Sequence, residues 1–118
     1  MRQFFNFTDS TALIIGGGSG IGKEIALAFC EHGANVIIAG RGEEKLAATS
    51  IEINNSAEGT CSYSVVDITS EASIENLMSF TSNKFNGRLN ILVNSAGTNI
   101  RAPIEDVSLE DFQDVINV

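Results

Sequence analysis

The 118 residues contain no tryptophan, one proline, one histidine, one tyrosine and two cysteines. Two cysteines, Cys30 and Cys61, are too few for a disulfide framework. Neither lies in a C-x-x-C or metal-ligand spacing, so a reduced, cytoplasmic setting is expected. Basic residues are also scarce. Seven Lys and Arg stand against fifteen Asp and Glu, and the formal charge of -8 repels phosphate backbones and anionic lipid, which argues against nucleic acid and membrane surfaces as partners. No run of about 18 apolar residues occurs, and the opening MRQFFNFTDS lacks the apolar core of a signal peptide. No repeat or low-complexity tract interrupts the chain.

What is present is globular. With 43% apolar and 19% charged residues the chain can bury a core, and its length suits one domain or a piece of one. Thr11 to Ile15 is an apolar run too short for a helix and reads as a buried strand. From Gly20, the residues Ile21, Ile25, Ala28 and Phe29 recur at helical spacing until Gly33, a C-cap glycine. Ala34 to Ala39 is a second strand, Glu43 to Ile53 a more exposed helix, Asn54 to Gly59 its exit loop, and Cys61 to Val66 a third strand. Ile74, Leu77, Met78 and Phe85 form another helical stripe, ended by Asn86 and Gly87, before a fourth strand from Leu89 to Val93. A last helix is expected from Ser108, with Ser108 and Asp111 resembling a capping box and Leu109, Phe112 and Ile116 forming the stripe.

Alternating strands and helices, with strands apolar on both faces, predict a doubly wound α/β fold around a parallel sheet. In the dinucleotide-binding strand order these four strands read 3-2-1-4, which leaves the fourth as an unpaired edge and predicts self-association of the isolated chain.

Glycines crowd the junction between the first strand and the first helix, where free backbone N–H groups and the helix dipole favour an anion such as phosphate. A tight turn alone also wants glycine, but fewer of them. The pattern G-x-G-x-x-G fits nowhere: from Gly16 its third glycine falls on Ile21, and from Gly18 on Lys23. The phosphate-loop pattern begins well with Gly17, Gly22 and Lys23, but Glu24 stands where it requires a hydroxyl; Asp67 would be the magnesium ligand of that runner-up.

G-x-x-x-G-x-G, at Gly16, Gly20 and Gly22, fits without mismatch, and here the chain resembles the short-chain dehydrogenase/reductase family. Further blocks follow in order: HGANVII in the second strand, VVDIT ending the third, ILVNSAG ending the fourth, and DVINV at the C-terminus. The resemblance implies a Rossmann-type, cofactor-binding N-terminal part of an oxidoreductase that moves hydride between a nicotinamide and a small carbonyl or alcohol. It also implies a homo-oligomer for the complete protein. Gly16, Ser19, Gly20, Ile21 and Gly22 would line the pyrophosphate, Asp67 and Ile68 would flank the adenine, and Asn94, Ala96 and Gly97 would form a bend beside the ribose. Asn117 matches the family's catalytic asparagine, which holds a water in the proton relay.

The family's catalytic serine and Tyr-x-x-x-Lys pair are not among these residues; Tyr63 is followed four positions later by Asp67. Three positions depart from the family. Ile15 replaces a threonine whose hydroxyl ties the loop to the turn after the fourth strand, Ser95 replaces the second asparagine of N-N-A-G, and Asn90 replaces an aspartate; a looser loop is expected. His32 has no second ligand and reads as a surface residue at a helix end.

Arg41 carries the cofactor choice. It ends the second strand, nineteen residues after Gly22, where such folds place an acid for a ribose 2′-OH or an arginine for a 2′-phosphate. The strand reads IIAGR, so NADP is expected in preference to NAD, with Lys45 as a possible assistant. The other readings are a dinucleotide-binding module without catalysis and a degenerate phosphate-loop protein.

Overall fold

The computed structural model describes residues 7–18 and 20–95, and the backbone of 99–101. The expected helix from Ser108 lies outside the described residues, as do Ser19, Ala96, Gly97 and Asn117. Along the chain run β1 (Thr11–Ile15), α1 (Gly20–Glu31), β2 (Asn35–Gly40), α2 (Glu43–Ser56), β3 (Thr60–Val65), α3 (Glu71–Phe85), β4 (Ile91–Asn94) and β5 (Asn99–Arg101).

β1 through β4 form a parallel sheet in the order β3-β2-β1-β4, with β5 at its end. Side-chain alternation sorts the strands into two cores. Ala12, Ile14, Val36, Ile38 and Val93 face α1 and α2, meeting Ala26, Cys30, Leu46 and Ile53. Leu13, Ile15, Ile37, Ala39 and Leu92 face α3, meeting Ile74, Leu77 and Phe85. Burying each large aliphatic side chain contributes about 1.5–3 kcal/mol, so β1 and β2, apolar on both faces, are the centre of the fold.

Two expectations are corrected. The outer side of β4 is not an open edge, because β5 pairs with it antiparallel, Val93 opposite Ile100 and Asn94 opposite Asn99. A three-residue strand is too short to show periodicity in a sequence. Nor is β3 apolar on both faces. It is the other edge, its residues TCSYSV are mostly half-exposed, and polar side chains along an edge discourage pairing with another chain.

Local chemistry sets the boundaries. α2 runs to Ser56 instead of stopping near Ile53, since the Asn54 amide donates to the Cys61 carbonyl (2.9 Å) and accepts from the Cys61 N–H (2.8 Å). Those bonds occupy the side chain that would otherwise compete with the helix. α3 begins at Ser70, whose hydroxyl accepts from the Ser73 N–H, and ends with Asn86 in the left-handed region at φ 56°.

Before β4, Asn90 and Thr11 clasp the sheet. The Thr11 N–H donates to Asn90 Oδ1 (2.9 Å) and the Asn90 N–H to Thr11 Oγ1 (3.1 Å), so the asparagine fastens β1 to β4 at their entry ends.

Candidate functional site

The direction of strand order reverses at β1, with β2 on one side and β4 on the other. Beyond the carboxyl ends of such strands a doubly wound sheet leaves a crevice. Three segments meet there: the glycine turn between β1 and α1, the end of β2 at Gly40 and Arg41, and the end of β4 at Asn94 and Ser95.

The glycines of the turn have separate tasks. Gly16 takes φ 88° and Gly20 φ 63°, which L side chains adopt only at a cost. Gly22 is instead a packing requirement, because a Cβ there would collide with the Gly16 carbonyl oxygen and lie 2.6 Å from Ser95 Oγ. α1 starts at Gly20, so the N–H groups of Gly20, Ile21 and Gly22, in its first turn, lack helical acceptors. Ile21 is 71% exposed.

The carbonyls of the turn are held from behind. Ser95 Oγ lies 2.9 Å from the Ile15 carbonyl and 3.1 Å from that of Gly16, while the Ser95 N–H donates to Ile15 O at 3.0 Å. On the other flank Thr49 Oγ1, from α2, donates to Gly18 O at 2.9 Å. The expectation of a looser loop is therefore corrected: the tie that Ile15 cannot make is made from the opposite side by Ser95. Neither Ser95 nor Thr49 was marked by spacing in the sequence. Thr49 does lie three residues after Leu46 on the buried face of α2, which is the one sequence signal that it points inward.

Beside the turn lies a cavity of about 160 Å³ lined by Gly16, Gly18, Gly40, Arg41, Lys45 and neighbours on α2. Arg41 and Lys45 are exposed and form no ion pair with any described residue. A Cβ at Gly40 would meet only Leu46 Cδ2, at 3.7 Å. The acid next along the chain turns elsewhere, since Glu43 Oε2 accepts from the Tyr63 hydroxyl at 3.4 Å on β3. Lys45, which sequence left as a possible assistant, is thus brought to the same cavity as Arg41.

Asp67 lies just past β3, fully exposed. Its Oδ1 accepts from the Thr69 hydroxyl (2.7 Å) and the Thr69 N–H (3.0 Å). These two bonds, the hydroxyl first, hold its carboxyl below the usual carboxylate range, and the nearby Arg41 charge adds a smaller pull. Neither bond uses Oδ2. Ile68 is half-buried against the core on the α3 side. Asn94 is only 1% exposed, so its side chain belongs to the interior of the sheet end.

Lys23 Nζ sits 2.9 Å from Glu52 Oε1, bridging α1 to α2. A phosphate-loop lysine must reach the phosphates, and this one is turned to the neighbouring helix. Among the described residues no group of three or more His, Cys, Asp and Glu could hold a metal, and no helix is long and apolar enough to cross a membrane. His32 is half-buried, its Nδ1 2.8 Å from the Ala28 carbonyl and its ring edge-on to Phe7.

Comparison with known proteins places this geometry. A family model described as short chain dehydrogenase matches residues 10–118. Glucose 1-dehydrogenase of Gluconobacter oxydans is 38% identical over 112 residues, which cover 95% of this chain and 42% of that protein. Among solved structures, an active-site complex of Pseudomonas aeruginosa RhlG with NADP superposes with a TM-score of 0.68 at 35% identity, covering 80% of this chain and 37% of that one. A hydroxysteroid dehydrogenase from Escherichia coli gives 0.71 at 34% identity, covering 76% and 37%. The chain spans about half the length of the curated relatives it matches.

Proposed function

The chain belongs to the short-chain dehydrogenase family, and from that premise we propose that residues 1–118 are the NAD(P)-binding domain of an oxidoreductase that prefers NADP(H) to NAD(H). The observation that carries the preference is the cavity between the glycine turn and α2. There a ribose 2′-phosphate meets Arg41 and Lys45, which form no ion pair with any described residue, across a glycine that adds no bulk. The family relative solved with NADP supports the same reading.

The donor set fits a dinucleotide. Gly16, Ser19, Gly20, Ile21 and Gly22 line the pyrophosphate at the positive end of α1, with Ser19 and the Ile21 backbone N–H as donors, the Gly16 N–H being committed to the Ala39 carbonyl. The Asp67 carboxylate accepts from the adenine amino group while Thr69 fixes its orientation, and Ile68 offers an apolar edge to the ring. Ile21, exposed at the mouth, is covered by the bound cofactor. Asn94, Ala96 and Gly97 shape the bend beside the ribose, Asn94 from within the buried sheet end.

When bound, the nicotinamide supplies or accepts the hydride of a carbonyl/alcohol exchange. Asn117 holds a water for the proton relay, whose tyrosine and lysine are not among these residues. The substrate is a small carbonyl or alcohol, the setting cytoplasmic, and the complete protein a homo-oligomer.

Arg41→Asp tests the preference. Each charge-assisted hydrogen bond contributes about 1.5–3 kcal/mol, so NADPH affinity should fall about 10- to 150-fold while NADH affinity is unchanged or improves. Calorimetric titration of both nucleotides measures it. An unaltered NADPH/NADH ratio would remove Arg41 from the site.

A further inference from the structure

Whether a glycine turn attracts or repels an anion depends on which of its polar groups face outward, because every peptide unit that offers an N–H also carries a carbonyl oxygen. Three carbonyls at this turn, those of Ile15, Gly16 and Gly18, are bound from behind by side-chain hydroxyls. The hydroxyls come from separate elements. Ser95 follows β4 and Thr49 lies on the buried face of α2, so the turn is gripped from both sides of β1.

We propose that Ser95 and Thr49 are positioning residues that keep the turn in its anion-receiving form, an inference that rests on the cofactor reading above. Neither touches the ligand. The Ile15 carbonyl is also held by the Ser95 backbone N–H, so the hydroxyls matter for the next two: Ser95 fixes the Gly16 carbonyl and Thr49 the Gly18 carbonyl, either of which would otherwise be free to rotate toward the pyrophosphate and repel it. The packing agrees with a built device. Ser95 Oγ occupies the space that a Cβ on Gly22 would invade, so the missing side chain at Gly22 and the small hydroxyl at position 95 are complementary. The Gly16 N–H is committed as well, donating to Ala39 O at 2.6 Å, which fixes the preceding Ile15–Gly16 peptide plane from the β2 side.

The experiment compares two ligands on the full 118-residue chain: NADPH, and adenosine 2′-monophosphate, which carries the 2′-phosphate but no pyrophosphate. Ser95→Ala and Thr49→Val should each weaken NADPH binding about 3- to 10-fold, the loss of one hydrogen bond, and leave the monophosphate affinity within about twofold. Thr49→Ser keeps the hydroxyl and should bind NADPH as the wild type does. Equal NADPH affinity in all variants overturns the proposal, and so does a parallel loss of both ligands, which would signal general destabilisation. A wild-type chain that binds the monophosphate but not NADPH also overturns it while leaving the Arg41 assignment standing, whereas one that binds neither refutes the cofactor reading first. Should Ser95→Ala fail to fold, Thr49→Val and Thr49→Ser decide the matter by themselves.

Discussion

Gly22→Ala is the substitution whose outcome the geometry fixes most tightly, because two ordinary expectations conflict there. Gly22 is the third residue of α1 and is not among the residues at positive φ, so helix propensity alone favours alanine by about 0.8–1 kcal/mol. Against this, the added Cβ would collide with the Gly16 carbonyl oxygen and lie 2.6 Å from Ser95 Oγ. The first is backbone at the end of a central strand and the second is held by two carbonyls, so neither yields cheaply. Overpacking of this kind costs about 1–3 kcal/mol, and because backbone must shift here the upper part of that range, about 2–3 kcal/mol, applies, leaving a net loss of about 1–2 kcal/mol after the helical gain. At roughly 4–8 °C per kcal/mol for a domain near this size, Tm should fall by about 5–15 °C. Gly20→Ala is the control. It meets nothing within 4 Å but must hold φ 63°, so it should lose about 1 kcal/mol through backbone strain alone. Removing the Ser95 hydroxyl should relieve part of the Gly22→Ala loss and none of the Gly20→Ala loss. Thermal unfolding followed by circular dichroism gives all of these values, and a Gly22→Ala chain as stable as wild type or more so would refute the packing argument.

Two further outcomes follow from the titrating groups. Asp67 is depressed in the folded chain, so its contribution is present above the ordinary value of 3.8 and is lost as pH falls through the lower folded value; Thr69→Val, lacking the main donor, should raise the Asp67 pKa toward 3.8, as carboxyl chemical shifts in an NMR titration will show. The Cys30 thiol is pushed up by its bond with Cys61 and by burial and should resist a disulfide labelling reagent at pH 8 until the chain is unfolded, whereas rapid labelling of the native chain would place that thiol outside the core.

The parts of the fold that were legible in the sequence are those where one physical signal dominates. β1 and β2 hold unbroken apolar runs, residues 12–15 and 36–39, each followed by a glycine, and α3 carries both its caps in its own residues, Ser70 before it and Asn86 with Gly87 after it. Where two signals compete, reading failed. Asn54 looks like a helix terminator until its amide is seen bonded to Cys61, seven residues further along the chain and adjacent across α2 and β3. β5 has too few residues to display any period. In the site, Arg41 and the glycines were visible because their type is unusual at their position, whereas Ser95 and Thr49 are common residues whose importance comes from contacts 80 and 31 positions distant. Lys45 needed the path of α2 to bring it beside Arg41.

The exposed cations at the mouth of the crevice have a kinetic consequence. The chain as a whole carries a formal charge of -8, so a polyanion approaching from most directions would meet repulsion, while Arg41 and Lys45 would favour its approach along the cavity they line. Capture and retention then respond to ionic strength in opposite senses. Added salt screens the long-range repulsion and speeds encounter, yet it weakens the short-range grip and hastens escape. With NADP(H) as the ligand proposed above, the surface would act as a directional filter, discriminating among anions by where they arrive as well as by what they are.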